Sequence, residues 1–173
     1  MKVTFTKMGK TRYSVAVTRA KGSTSVPTQP VPQDAYMPRE LAQFLVEEQF
    51  GIRLGVFGRL AAADAGGLRP GEQDRSGRAR RAAARANDVS RADMDRSERL
   101  VALCRSLWEA RAGHASGQPA VIDMTLATPF DVDRAIHRLD DVSAQWIALA
   151  QGESMTMEWP SELALSTANS ARI

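Results

Sequence analysis

The sequence predicts an α+β domain in which a small antiparallel sheet packs against four or five helices. Two alternating apolar segments stand close together at the N-terminus, a third stands near the C-terminus, and the apolar residues between them recur with helical spacing. A hairpin alone is marginal in water, so the two N-terminal strands need the third strand and the helices as cover. At 173 residues the chain can bury a sizeable core, and we expect residues 1–160 to form one domain.

Apolar residues at every second position predict the three strands. Residues 3–6 and 13–18 alternate in this way around the short stretch MGKT, whose glycine suits a hairpin turn. In the stretch ESMTMEWP, residues 155–159 alternate again before Pro160 ends the pattern. We therefore expect the N-terminal hairpin and a C-terminal strand to share one sheet.

The stretch MPRELAQFLVEEQFGIRLGVFGRLAAA, residues 37–63, predicts two helices. Pro38 suits a first helical turn, and Leu41, Phe44 and Leu45 then form an apolar stripe before Gly51 breaks the helix. A shorter second helix follows, with an apolar stripe that consists of Leu54, Phe57, Leu60 and Ala61.

A long third helix is predicted to open at Asp88 or Ser90 and to end near Gly113. Cys104 and Trp108 lie on its apolar stripe. Since the chain is short, we expect the aromatic residues on the helix stripes to share a single core; they are Phe44, Trp108 and Trp146.

The fourth helix carries the clearest start signal in the sequence. Thr128 is the expected N-cap, Pro129 the first helical residue and Asp131 the acid of a capping box. Its apolar stripe reaches Trp146, and Gly152 is expected to end it.

Three segments lack an apolar period and are predicted to be the least ordered: residues 19–34, 65–80 and 161–173. Residues 19–36 form a proline-rich extended connector. Residues 65–87 read as a mobile insert, which begins rich in glycine and continues as an Arg/Ala segment with helix propensity but no apolar face. Residues 161–173 form a frayed tail.

Charge is unevenly distributed along the chain. Net charges are +5 for residues 1–63, +3 for residues 64–87 and −5 for residues 88–173. A basic first half facing an acidic second half can neutralise itself on folding, so the basic balance alone does not indicate nucleic-acid binding.

The single cysteine, Cys104, excludes an internal disulfide. With no apolar run of membrane length and no signal-peptide pattern, we expect a cytoplasmic protein that does not act at a membrane.

One face of the first helix offers the candidate carboxylate site. A helical wheel places Glu40, Gln43 and Glu47 together, opposite the apolar stripe, where they could present oxygen ligands to a hard cation. The alternative is an ordinary solvated acidic face. Glu48 points along the apolar stripe, so it is expected either to pair with an arginine such as Arg53 or to be a functional carboxylate.

The strongest electrostatic feature is a run of five arginines within eleven residues: Arg75, Arg78, Arg80, Arg81 and Arg85. We call it the arginine cluster. It could bind phosphates or an acidic protein, but no aromatic residue is interleaved for base stacking and no known nucleic-acid motif accompanies it. A surface segment that faces the acidic second half is the alternative.

His137 has an aspartate four residues before it and another four residues after it, at Asp133 and Asp141. This spacing suits a metal pair, an acid–base dyad or ordinary surface pairing. The sequence contains no phosphate-binding loop, nucleophile elbow or Cys-x-x-Cys motif, so no catalytic residues and no cofactor are predicted.

The pattern MPREL…F…E…G…G.FG, with SERLVALC and TMEWP downstream, resembles a set of small actinobacterial proteins of unassigned function. The resemblance implies histidines in those relatives at the positions of Arg39 and Gln43, where they would form a His/Asp/Glu cluster with ligand spacing. This chain departs at both positions, and the group has no activity to transfer.

We therefore expect a non-catalytic interaction or regulatory protein that binds another protein through a helical face and the arginine cluster. Two alternatives stay open. One is a nucleic-acid-associated protein that contacts phosphates through residues 75–85, and the other is a small metal-dependent protein or enzyme that uses Glu40, Glu47 or His137.

Overall fold

Both ends of the chain enter the same antiparallel sheet. The computed structural model describes residues 1–9, 12–18, 24–25, 31–32, 36–64, 77–114, 123 and 125–164. Strand β1 (Lys2–Lys7) pairs with β2 (Arg12–Thr18) on one side and with β5 (Ser154–Glu158) on the other. Two short strands, β3 (Thr24–Ser25) and β4 (Val31–Pro32), pair with the other edge of β2. The predicted combination of hairpin and C-terminal strand is confirmed.

The register of the sheet separates an apolar face from a polar one. Val3 and Phe5 of the central strand are fully buried, and their neighbours on β5 are Met157 and Met155. On the opposite face Thr4 hydrogen-bonds Thr156, Thr6 hydrogen-bonds Ser154, and Lys2 pairs with Glu158. A slip of one residue would exchange the two faces, so the alternation in sequence excludes it.

Four helices share one hydrophobic core with the sheet: α1 (Arg39–Gln49), α2 (Val56–Asp64), α3 (Gly77–Arg111) and α4 (Pro129–Ala148). Helix α1 contacts the other three, and α3 also contacts α4. Phe44, Trp108 and Trp146 lie in one buried cluster, which confirms their predicted common core. None of the helices in the described part of the chain is long and apolar enough to cross a membrane.

The predicted start of α4 is confirmed. The Thr128 side-chain oxygen accepts a hydrogen bond from the Asp131 backbone N–H at 3.2 Å and donates one to the Asp131 carboxylate at 2.7 Å. The helix ends at Ala148, before the predicted Gly152. There the Lys7 ammonium group donates to backbone carbonyls, at 3.0 Å to Ile147 and 2.8 Å to Leu149. A cation at this end complements the helix dipole.

Helix α3 is longer than predicted, because it begins at Gly77 and not at Asp88 or Ser90. Arginine and alanine are strong helix formers, so the helix extends beyond the residues that pack against the core. Part of the expected mobile insert at residues 65–87 is therefore helical. Residues 65–76 lie outside the described part of the chain.

The other two segments that were predicted to be weakly ordered lie partly outside the described residues. Of residues 19–34, the described positions 24–25 and 31–32 are short strands on β2, and the rest lie outside the described residues. At the C-terminus, Ser161–Leu163 form a short 3₁₀ helix, and residues 165–173 lie outside the described residues.

Candidate functional site

Glu47 is fully buried, so the expected solvated acidic face of α1 is wrong at this position. Its carboxylate accepts hydrogen bonds from the backbone N–H groups of Val56 at 2.7 Å and Phe57 at 2.9 Å. The Ser97 hydroxyl donates at 2.6 Å and the Gln43 amide nitrogen at 3.2 Å. A carboxylate is an acceptor-only group with room for four such donors, so Glu47 acts as an internal cap for the N-terminus of α2.

The loop between α1 and α2 explains how the cap forms. Gly51 has φ of +62°, a left-handed conformation that favours glycine and ends α1. The chain then turns so that α2 starts beside the helix it has just left. At Gly55 a Cβ atom would clash with the Glu47 carboxylate, so only glycine lets the backbone come close enough to be capped.

The other two carboxylates of α1 have separate partners. Glu40 accepts a hydrogen bond from the Tyr13 hydroxyl. Glu48 pairs with Arg138 of α4 at 2.6 Å and not with Arg53, which is exposed. Burial raises the pKa of the Glu48 carboxyl above its ordinary value, while the Arg138 guanidinium opposes that rise.

The candidate metal face is therefore divided among three environments. Glu40 faces the sheet, Gln43 and Glu47 face α3, and Glu48 faces α4. Within the described residues no group of three or more His, Cys, Asp or Glu side chains could hold a metal ion.

A polar groove between α1 and α3, with a cavity volume of about 330 Å³, is a feature that the sequence analysis missed. Arg39 and Gln43 of α1 form one wall. The other wall is a stripe along α3 that includes Glu98, Arg105 and Glu109, with Val101 and Ala102 between them. The spacing of that stripe is visible in the sequence, but a charged helical stripe ordinarily faces solvent and gave no reason to expect a groove.

The two walls of the groove run antiparallel. Tyr36, just before α1, stacks on His114, just after α3, with ring centroids 3.5 Å apart. Glu47, near the end of α1, hydrogen-bonds Ser97 towards the middle of α3. Arg39 therefore lies at the Glu109 end of the groove, and Gln43 lies towards Glu98.

Charge in the groove is only partly paired. Arg105 and Glu109 form an ion pair at 2.9 Å. Arg39 and Glu98 are exposed, and neither makes a side-chain hydrogen bond or ion pair with the residues that the structure describes. The groove thus offers one available cation and one available carboxylate at opposite ends.

The arginine cluster falls at the start of α3. Positions 78, 80, 81 and 85 are helical, whereas Arg75 lies outside the described residues. Arg85 is exposed, as are most residues up to 92, and the first buried side chain described in α3 is Ser97. Residues 85–92 therefore lie outside the packed core, and we call the N-terminal part of α3, residues 77–92, the α3 arm.

The remaining candidate residues have simple surroundings. His137 pairs with Asp133 at 3.3 Å on the surface of α4, and Asp133 also accepts a hydrogen bond from Arg111. Cys104 is fully buried, and burial raises the pKa of its thiol to about 12. A thiol in this state is a core residue and not a nucleophile.

Comparison with known proteins gives no relative for this chain. No protein-family model, no curated protein and no solved structure matches it significantly.

Proposed function

We propose that this protein is a non-catalytic binding protein whose α3 arm docks on an acidic surface of another protein. The observation that carries the proposal is the exposure of residues 85–92 of the arm: α3 is 35 residues long, yet among its side chains described from residue 85 onwards the first buried one is Ser97. A helix that extends beyond its own core presents its side chains to a partner at little cost to the fold.

The charge pattern along the arm favours a compact acidic partner over a nucleic acid. Residues 77–85 carry four arginines and no acid, over about 13 Å of helix. Beyond them Asp88, Asp93 and Asp95 interrupt the positive charge. A long phosphate backbone would meet these aspartates, whereas a small acidic patch need contact only the first turns.

The residue types also favour binding by charge. Arginine keeps its charge at any cellular pH and forms paired hydrogen bonds to carboxylates. The arm contains no aromatic residue, so it offers no platform on which bases could stack.

The test measures salt-dependent binding to two defined probes, poly-L-glutamate and a duplex DNA of about 20 base pairs. The first variant changes four residues of the arginine cluster to Gln: Arg78, Arg80, Arg81 and Arg85. The matched control makes the same change in net charge with four exposed arginines outside the α3 arm: Arg12, Arg53, Arg59 and Arg134.

We expect the wild type and the control variant to bind poly-L-glutamate equally well. The cluster variant should lose this binding, while its thermal stability stays close to that of the wild type. An equal loss of binding in both variants would show that net charge alone causes the binding, and it would refute the arm as a docking site. Tighter binding to DNA, with a salt slope of several counterions, would favour the nucleic-acid alternative.

A further inference from the structure

The groove between α1 and α3 has the form of a small-ligand site, and the proposed role of the arm does not use it. Its volume of about 330 Å³ lies at the lower end of the range for ligand pockets. Val101 and Ala102 are the apolar residues of its lining, and the other lining residues are polar or charged. Such a lining fits a ligand with a short apolar body and charged ends.

The charges at the two ends have opposite signs. Arg39 stands at the end where Arg105 and Glu109 already neutralise each other, so the net charge there is positive. Glu98 stands at the other end with no described partner. Because the available charges lie apart and leave each other unpaired, a ligand that carries both an anion and a cation would satisfy the groove.

Gln43 adds an acceptor beside Glu98. Its amide nitrogen donates inward, to Glu47 at 3.2 Å and to Ser97 at 3.4 Å. With the nitrogen held in this way, its carbonyl oxygen is left for a ligand, and no hydrogen bond to that oxygen forms within the described residues. The Glu98 end therefore accepts hydrogen bonds, as an ammonium group and a backbone N–H require.

The length of the groove sets the length of the ligand. Arg105 is the residue of the Arg39 end that lies nearest to Glu98 on α3, and it is seven residues away, so a ligand must span at least about 10 Å along the helix axis. An extended peptide advances about 3.5 Å per residue, so three residues span this distance. A single α-amino acid is too short to reach both charges.

We propose that the groove between α1 and α3 binds a short peptide of about three residues with free ends, its carboxylate at Arg39 and its ammonium group at Glu98. Arg39 gives a charged donor pair to the carboxylate, and Glu98 with the Gln43 carbonyl accepts from the ammonium group and the first backbone N–H. The groove is separate from the α3 arm, so a negative result for peptide binding would leave the proposed docking of the arm unaffected.

The test titrates the full chain with tri-alanine and with two analogues, N-acetyl-tri-alanine, which lacks the ammonium group, and tri-alanine amide, which lacks the carboxylate. Calorimetry gives the affinities, and backbone NMR locates the site. We expect saturable binding of tri-alanine with shifts at residues 39–43 and 98–106. Removal of either charge should weaken binding about tenfold or more.

Three variants assign each end of the peptide. In Arg39→Gln we expect the preference for tri-alanine over tri-alanine amide to disappear. In Glu98→Gln we expect the preference for tri-alanine over N-acetyl-tri-alanine to disappear. Arg59→Gln, an exposed site on α2, should keep both preferences. The pattern of preferences separates a change in ligand contact from a general loss of stability.

Two results would overturn the proposal. One is the absence of saturable binding of tri-alanine to the wild-type protein at millimolar concentration. The other is binding whose dependence on the peptide ends is the same in Arg39→Gln and Glu98→Gln as in the wild type. Neither result depends on the variants being as stable as the parent, because the first is measured on the unaltered chain and the second compares peptides within one variant.

Discussion

Glu47 connects three helices through one carboxylate. Its hydrogen-bond donors come from α1, from the first turn of α2 and from Ser97 of α3. Buried donors that lose their acceptor cost free energy because water cannot replace it. The stability of this part of the fold is therefore concentrated in a single side chain.

Glu47→Gln is expected to lower the free energy of unfolding by about 2 kcal/mol or more, because one carboxylate oxygen becomes an amide that cannot accept from the α2 backbone. Urea titration measures the change. Glu48→Gln is the matched neighbour, and it should cost less than about 1 kcal/mol because its partner Arg138 stays accessible to water. Equal effects of the two substitutions would contradict the capping role.

Gly55→Ala tests the same contact from the other side. The added methyl group would meet the Glu47 carboxylate, so we expect a loss of about 1–3 kcal/mol. In a Glu47→Ala background the space is open, and the same change should cost clearly less. A double-mutant cycle from urea titrations gives the coupling, and additive losses would show that Gly55 matters for another reason.

Burial of Cys104 predicts how stability depends on alkaline pH. The pKa of this thiol is raised to about 12, whereas in the unfolded chain it has its ordinary value of 9.0. The favourable contribution is complete below pH 9.0 and is lost as pH rises towards 12, because only the unfolded chain then gains the thiolate. Between pH 8.5 and 10 the wild type should lose more free energy of unfolding than Cys104→Ala. Parallel curves would contradict the assignment.

At the level of elements, α3 is one helix with two different parts. The residues from Ser97 onwards contribute Leu100, Leu103, Cys104 and Trp108 to the core. The α3 arm has helix-forming residues, and its described side chains, residues 85–92, show no such burial. An isolated helix of this length is marginal in water, so the packed part must nucleate the arm.

Native-state hydrogen exchange should separate the two parts. We expect the amides of residues 86–92 to exchange far faster than those of residues 100–108, because opening the arm breaks helical hydrogen bonds without exposing core residues. Equal protection along the whole helix would show that another surface covers the arm. Saturation with poly-L-glutamate should slow exchange in the arm if the proposed docking is correct.

Over the whole molecule, the core draws on both ends and the middle of the chain. Trp108 of α3 and Trp146 of α4 are buried in one cluster with Phe44 of α1 and with Trp159, just after β5. A basic first half can neutralise an acidic second half on folding, and the ion pairs described between the two halves include both charge arrangements. The ion pair between Lys2 and Glu158 joins a base of the first half to an acid of the second. The ion pair between Glu48 and Arg138 joins an acid of the first half to a base of the second.

Trp108→Ala and Trp146→Ala should each lower the free energy of unfolding by about 3–5 kcal/mol, since each removes a buried ring from the shared core. Phe130→Ala on α4 is the control, and it should change stability by less than about 0.5 kcal/mol because 69% of that residue is exposed. A denaturant titration compares all three. A change below 1 kcal/mol for either tryptophan would contradict a single cooperative core.

Local patterns in the sequence were enough to predict the strands of the sheet, their buried faces and the cap of α4. The alternation of residues 3–6, 13–18 and 155–159 depends only on which side chains share a face, and the Thr128 cap only on neighbours three residues away. The buried tryptophans followed from helical periodicity in the same way.

The candidate site was decided by tertiary structure. A helical wheel assumes that one face of α1 is buried and the other solvated, but α2, α3 and α4 all contact α1, so Glu47 is enclosed on the side assigned to water. Glu48 finds its partner 90 residues away, at Arg138. The groove likewise needs Arg39 and Glu98 from two helices that only the fold brings side by side. Charged side chains carry no periodic signal for a partner distant in sequence, because burial and pairing depend on which surfaces meet after the chain has folded.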